Sequence, residues 1–486
     1  MLNPSKLQYL ALFLLVTMLT TLVHRRVQKQ RKRNRVIEDL HKSFSSLPPA
    51  LTSPLDALSP NEPIPIFSGE LLLISDSKTL CGSGNVSFSW LPNPRIVFRG
   101  DFSAASGVDI MENKTLSTSR HEPAEALITK ANYKSSSSKT EVNGILNEPL
   151  RPQLPDGGFR EIHFLLTNFK SYFGEPVRLC GKSLAMAKSR WRLNLDGYEI
   201  SIDLTEKHKE VTDNVKSNGG FGITNIGRVS KNNRALLTME EFEALSDSLR
   251  YFLGLCRGFW VGPVLPFADI DGKPHFVYAP SRLTTWQNAE TWFPSLKPKE
   301  AGTAFNRFHQ LLQDPDWGEG LRNATEWYVD ANTADTLESA IVKTQVGLEL
   351  LAWLVLVDRH EYKSNTKYRH DGAAMNLEDL LKVYRIPVDY PVHLEYLRRG
   401  TTAWNTDNGV HAIVKVRNHI VHSTSAKRKE LASLGKMAKL EAKHLGLQYL
   451  ELTLLAIIGY IGAYSDRTKF NRILGQEQVV PWGRTS

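Results

Sequence analysis

Cysteine is scarce, with three in 486 residues at positions 81, 180 and 256 and no Cys-x-x-Cys spacing. A disulfide framework and a cysteine-built zinc site both need more ligands, closer together, and are excluded. Buried free thiols in a reducing compartment remain as the reading. A phosphate-binding loop is also lacking. The one glycine-rich stretch, "GGFGITNIG" at residues 219–227, has neither GxGxxG spacing nor a closing Lys-Ser/Thr pair, and reads as a flexible loop. No Ser-His-Asp set assembles itself, and no internal repeat is present. Charge of one sign is missing from most of the chain. The net charge is +9, but Arg25, Arg26, Lys29, Arg31, Lys32, Arg33 and Arg35 account for all except +2 of it. Basicity is therefore a local feature and no argument for nucleic acid by itself.

Uncharged apolar runs are equally few. "LQYLALFLLVTMLTTLV", residues 7–23, is 17 residues long, the short end of what crosses a bilayer core of ~30 Å. Only Lys6 precedes it, and "HRRVQKQRKRNR" follows where a signal peptide would carry its cleavage site. Positive charge stays on the cytoplasmic side. Residues 1–24 are accordingly expected to be a single-pass anchor in the inner (cell) membrane, with the globular part in the cytoplasm. The Arg25–Arg35 cluster would hold anionic lipid at ~1 kcal/mol per cation near the surface. A cleaved signal is the rival, and it would send the protein outside the cell.

What the sequence does contain falls into blocks that make an α+β protein. Residues 25–66, basic and then rich in Pro and Ser, read as a linker without fixed structure. Residues 67–300 read as a β-rich sensor or regulatory region, partly disordered over 104–158, with an unknown trigger. Two hairpins are expected there, turning at Asp196-Gly197 and Asp271-Gly272, and one amphipathic helix over 237–256. Residues 301–486 read as an all-α domain, with a bundle of four or five helices over 334–464. Its first helix, 334–358, is apolar almost all round. Glu349 midway along it argues for burial in protein rather than lipid.

Two clusters in the helical part carry possible chemistry. His360 and His370, with Asp358, Glu361 and Asp371, imitate a metal site but lie in a polar stretch that reads as a solvated interhelical loop. The other is "RNHIVH", residues 417–422. An arginine followed at short range by histidine arises by chance, and Arg35 with His41 in the linker is one such case. Three features set Arg417 apart. Asn418 follows it directly, Asn418 and His422 share a helical face at i,i+4, and the segment lies between the Glu349 helix and a long terminal helix. Lys415 and His419 lie beside that face, Ile413, Val416 and Ile420 on the opposite one, and His419 reads as a surface residue. The stretch is rich in β-branched residues, so its local propensity also permits a strand.

Residues 334–464 resemble the HEPN superfamily, with "RNHIVH" similar to its R-x4-6-H signature. The layout, a β-rich region before a C-terminal HEPN-like bundle, is similar to abortive-infection proteins of the ApeA type. The resemblance implies metal-independent cleavage of RNA in a homodimer formed through the bundle, without a cofactor, leaving 2′,3′-cyclic phosphate ends. In that chemistry His422 moves the proton of a ribose 2′-OH or of the leaving oxygen, imidazole being the side chain that titrates near neutrality. Arg417 neutralises charge on the phosphate with a fork that lysine lacks. Asn418 orients the imidazole or binds phosphate. Glu349 positions Arg417 or forms a purely structural pair. The competing reading is a membrane-tethered adaptor whose HEPN-like bundle only dimerises.

Overall fold

The computed structural model describes Gln28, Lys32 and residues 44–483, apart from 76–77, 104–113, 134–138, 153–156, 180–185, 471 and 474. The apolar segment 7–23, the basic cluster (except Lys32) and Cys180 lie outside the described residues. The chain is mixed α+β, with strands in its first half and helices after residue 298. Its described residues divide into a small unit, holding Gln28, Lys32 and those of 44–50 and 175–190, and a large one holding those of 51–174 and 191–483.

The large unit opens with six strands: β1 (Ile64–Ile74), β2 (Thr79–Ser89), β3 (Arg95–Ser103), β4 (Lys114–Thr118), β5 (His121–Tyr133) and β6 (Lys139–Leu146). They close an antiparallel barrel in the order β1-β2-β3-β6-β5-β4, with β4 returning to pair with β1. Period-2 alternation fills the interior: Ile96, Phe98 and Phe102 of β3 point in, and Val97 and Arg99 point out. Three of these strands lie within 104–158, which the sequence assigned to loop. The reason is visible in β5, where the inward residues include Ala124 and Ala126. A narrow barrel needs small residues opposite large ones, so β5 lacks the bulky β-branched signature of a strand.

The segment before the barrel is also ordered where it is described. Leu51, Leu55 and Leu58 pack against the barrel core, the Asn61 amide donates to Gly219 O, and the Trp90 indole donates to Glu62 O. The expectation of an unstructured linker through residue 66 is thus corrected for residues 51–66.

A second antiparallel sheet, in the large unit, uses β7 (Glu161–Thr167), the part of β9 (Met186–Leu195) from Trp191 on, β10 (Tyr198–Leu204), β11 (Ile223–Lys231), β12 (Val264–Ile270) and β13 (Lys273–Phe276), while β8 (Glu175–Arg178) belongs to the small unit. Within the large unit its order is β13-β12-β7-β11-β10-β9. The small unit holds β8 paired with the start of β9, and Pro49 bridged to Arg178. Both expected hairpins form, β9–β10 at Asp196-Gly197 and β12–β13 at Asp271-Gly272.

The central strand β11 corrects the flexible-loop reading of "GGFGITNIG". Its buried Thr224 and Asn225 disguise it. Thr224 Oγ1 accepts from Phe169 N at 2.9 Å, and Asn225 donates to the Tyr172 hydroxyl at 3.2 Å, though its Oδ1 is buried without a partner among the described residues. Gly227 is required by close approach, since a Cβ there would stand 2.0 Å from Cζ of the fully buried Phe164. Gly227→Ala is expected to cost about 2–3 kcal/mol by overpacking, read as a lower urea midpoint at unchanged slope.

The sheet has a core on each face. Ile162, Phe164 and Leu166 of β7 face the helical layer, while Leu165 joins Ile226 and Val264 in the core shared with the barrel. After α1 (His208–Asn218), which the sequence reading passed over, comes α2 (Met239–Arg257). Its N-terminus is a capping box of Thr238 and Glu241, and it ends at Gly258, with φ 82°. Phe242, Leu245, Leu249 and Phe252 of α2 are buried.

The helical part comprises α3 (Pro298–Thr303), α4 (Phe305–Gln313), α5 (Gly318–Asn332), α6 (Leu337–Trp353), α7 (Asn365–Val383), α8 (Glu395–Thr401), α9 (Gly409–Val421) and α10 (Ser425–Ile457). Helix α6 continues as a π-helical turn to Arg359; α7 and α10 kink at Gly372 and Gly435. Leu337–Arg359 is, among the described residues, the one helix long and apolar enough to cross a membrane. It packs against α5, α7, α9 and α10. The polar stretch 358–372 is loop only to Ser364, because α7 starts at Asn365. Asp371 there pairs with the buried Lys363, His370 is exposed, and no metal-binding group occurs among the described residues. Cys256 is buried as expected, whereas Cys81 on β2 is exposed.

The chain beyond α10 turns back and is fastened by Arg467, which is fully buried. His444 on α10 donates through Nδ1 to Arg467 O at 3.0 Å. Burial, and then the Arg467 and Lys443 charges, push its pKa down to about 3. The folded state therefore keeps this ring neutral, while the unfolded chain protonates it below about pH 6.5. Its contribution to stability is intact above pH 6.5 and is lost as pH falls towards 3. We expect a loss of about 2 kcal/mol by pH 5, with His444→Gln flattening that slope in urea titrations.

Candidate functional site

The four residues singled out in the sequence lie on two neighbouring helices. Helix α9 forms despite its β-branched run because Val410, Ile413, Val414 and Val416 are buried in the bundle core, a tertiary override of local propensity. Asn408 caps its start, accepting from His411 N at 3.0 Å. At its other end His422 is the C-cap, with φ −97° and ψ 61°, and its N–H donates to Asn418 O. Thr424 then caps α10 by accepting from Lys427 N. The expected shared face of Asn418 and His422 is thus the last turn of a helix, opening on a short connection.

Arg417 is braced from α6. Its Nη2 stands 3.8 Å from Glu349 Oε1, and its Nη1 donates to Asn418 Oδ1 at 3.1 Å. Glu349 is half-buried and is itself held by Gln345, one helical turn earlier, which donates to the same Oε1 at 2.9 Å. The Tyr368 hydroxyl reaches Glu349 O from α7. Arg417 Nε is buried without a hydrogen-bond partner among the described residues. Asn418 is thus held by its oxygen, and its amide N–H groups make no hydrogen bond among the described residues. His422 is exposed, and its imidazole has no partner among the described residues. Lys415, Arg428 and Lys429 are exposed and near in sequence.

His419 departs from expectation. It is only 2 % exposed, stacked on Trp404 with ring centroids 4.3 Å apart and planes 8° apart. Its Nδ1 meets Lys415 O at 2.8 Å and its Nε2 meets Glu430 Oε2 at 2.6 Å, so the ring bolts α9 to α10. The surface reading failed because both partners are remote: Trp404 precedes α9 and Glu430 is on α10. The Gln345–Glu349 brace was within reach of the sequence as an i,i+4 pair.

Comparison with known proteins places these elements in named regions. Residues 155–288 match the model of the YopA central domain, and residues 314–479 match that of the YopA C-terminal domain. Glu349, Arg417, Asn418 and His422 fall in the second match, while the barrel lies outside both. The SPbeta prophage-derived uncharacterized protein YopA of Bacillus subtilis (strain 168) is 28% identical over 433 residues, covering 87% of this chain and 95% of that protein. No solved structure matches.

Proposed function

We propose that this chain is a membrane-anchored, HEPN-type, metal-independent endoribonuclease, held in check until the β-rich region receives a trigger. The observation that carries the reading is the last turn of α9. An arginine braced from a core helix, an asparagine pinned by that arginine and an exposed histidine without a partner among the described residues occur within six residues at a helix end. Such a set serves phosphodiester transfer: a charge fork for the phosphate, an amide donor and a proton carrier. The prophage origin in the relative's name fits a nuclease used in conflict between phage and host. Two copies meeting through the bundle would set both "RNHIVH" turns about one cleft. Residues 7–23 supply the anchor, and a reporter fused at residue 60 should read out in the cytoplasm.

The test is incubation of purified protein with labelled RNA in the presence of a chelator. Cleavage giving 2′,3′-cyclic phosphate ends supports the proposal. No cleavage under any condition, including expression during phage infection, sinks it. A second reading, a tethered adaptor, draws on the same brace: Arg417 is engaged with Glu349 and Asn418 and would suffice as a helix-pairing device.

A further inference from the structure

The molecule has a cleft of about 260 Å³ with no residue in common with the α9 turn. Lys170 opens onto it, three residues beyond the central strand β7. Its Nζ donates to Thr291 Oγ1 at 2.8 Å and to Phe293 O at 3.3 Å, and lies 5.0 Å from the Phe293 ring centroid. Both acceptors are neutral. Three of the carboxylates around it are engaged elsewhere, Glu451 by Arg467, Glu290 by Arg472, and Asp466 by Thr468 and Gln478, and Glu477 of the cleft wall makes no ion pair with Lys170. A charged ammonium with no carboxylate of its own, in such a place, is disfavoured. A neutral amine fits better, because it has two N–H donors, both placed here, and one lone pair left over.

We propose that Lys170 is a carbonyl-reactive amine and that the cleft is a covalent, reversible site for a small polar aldehyde or ketone. The lone pair adds to the carbonyl carbon. A C–N bond forms, the C–O bond breaks, and the oxygen leaves as water with the two amine protons, giving an imine. Hydroxyls and an amide on the cleft wall, from Thr291, Ser295, Ser465 and Gln476, suit a hydroxylated compound. The electrostatics point the same way. Although Lys170 keeps some solvent contact, burial lowers its pKa to about 7. Arg257 on α2 and Arg472 on the C-terminal segment push further down, while Cys256 and Glu451 oppose them. Desolvation beside like charge is the usual way a lysine is made nucleophilic at neutral pH.

The experiment treats the intact wild-type chain with glycolaldehyde and cyanoborohydride, which reduces any imine to a stable secondary amine, and maps the modified lysines by peptide mass spectrometry. At pH 6 an ordinary lysine is unprotonated in only about one part in 10⁴, and Lys170 in about one in ten. Allowing for the lower nucleophilicity of a weaker base, we expect Lys170 to react at least tenfold faster than the average lysine, with a rate midpoint near pH 7. Lys170→Met should abolish this label, and equal melting temperatures would show that the fold survives. Labelling of Lys170 at or below the average lysine overturns the proposal, as does a midpoint near pH 10. Wild type alone decides it should the variant fail to fold.

Discussion

RNA should be cut ~10²–10⁴-fold more slowly by the His422→Ala variant than by wild type, the usual worth of a general acid or base. Its melting temperature should barely move. The imidazole is exposed and has no partner among the described residues, and its helix-ending role is carried by the backbone N–H, so surface-substitution energetics apply, within about 0.5 kcal/mol. Arg417→Ala should match that activity loss and also lower stability, because it leaves Glu349 without its cation. Arg417→Lys separates charge from shape. A lysine keeps the charge but cannot reach Glu349 and Asn418 as a fork does, and most activity should go with it. The adaptor reading predicts the reverse pattern: no cleavage by any form, and an effect of Arg417→Ala confined to melting. Equal RNA cleavage by wild type and His422→Ala would remove histidine chemistry from the account.

The parts of this fold legible in the sequence were those where one local rule spoke clearly. The α2 helix announced itself by apolar spacing, and the two Asp-Gly turns by the left-handed backbone they accept. Helix α9 was legible as an element but ambiguous in type, since its valines and isoleucines suit either a strand or a buried helix; packing in the bundle decides it. The barrel's later strands were hidden by Ala124 and Ala126, inward residues chosen for space rather than propensity. β11 was hidden by its buried Thr224 and Asn225. At the site, the Arg417–Glu349 approach is one of the two roles that the family resemblance left open for Glu349. The burial of His419 depends on Trp404 and Glu430, whose approach no spacing rule encodes. Lys170 carries no sequence signal at all, because its hydrogen-bond acceptors, Thr291 and Phe293, lie more than 100 positions away.

Arg467→Ala should be the most destabilising single change in the helical part, by about 3–5 kcal/mol. Both Arg467 and Glu451 are 1% exposed in their side chains. The pair is bidentate, with Nε to Oε2 at 2.8 Å and Nη2 to Oε1 at 2.6 Å. Two further donors are used, Nη1 on Asn332 and Nη2 on Glu290 O, while Glu451 also accepts from the Tyr328 hydroxyl and from Trp292 N. Removing the arginine strands a carboxylate in the core of α10 with only two neutral donors. Replacing both partners, Arg467→Met with Glu451→Leu, removes the charge along with its partner and should recover at least half of the loss. Full recovery is not expected, because Tyr328, Asn332 and the Glu290 carbonyl all lose a contact. Urea midpoints of the three variants check this, and a loss below about 1 kcal/mol for Arg467→Ala would refute it. The same side chain fastens the segment after α10 that carries Arg472 to the Lys170 cleft. Proteolysis in Arg467→Ala should therefore begin between residues 458 and 483, ahead of any cut in the barrel.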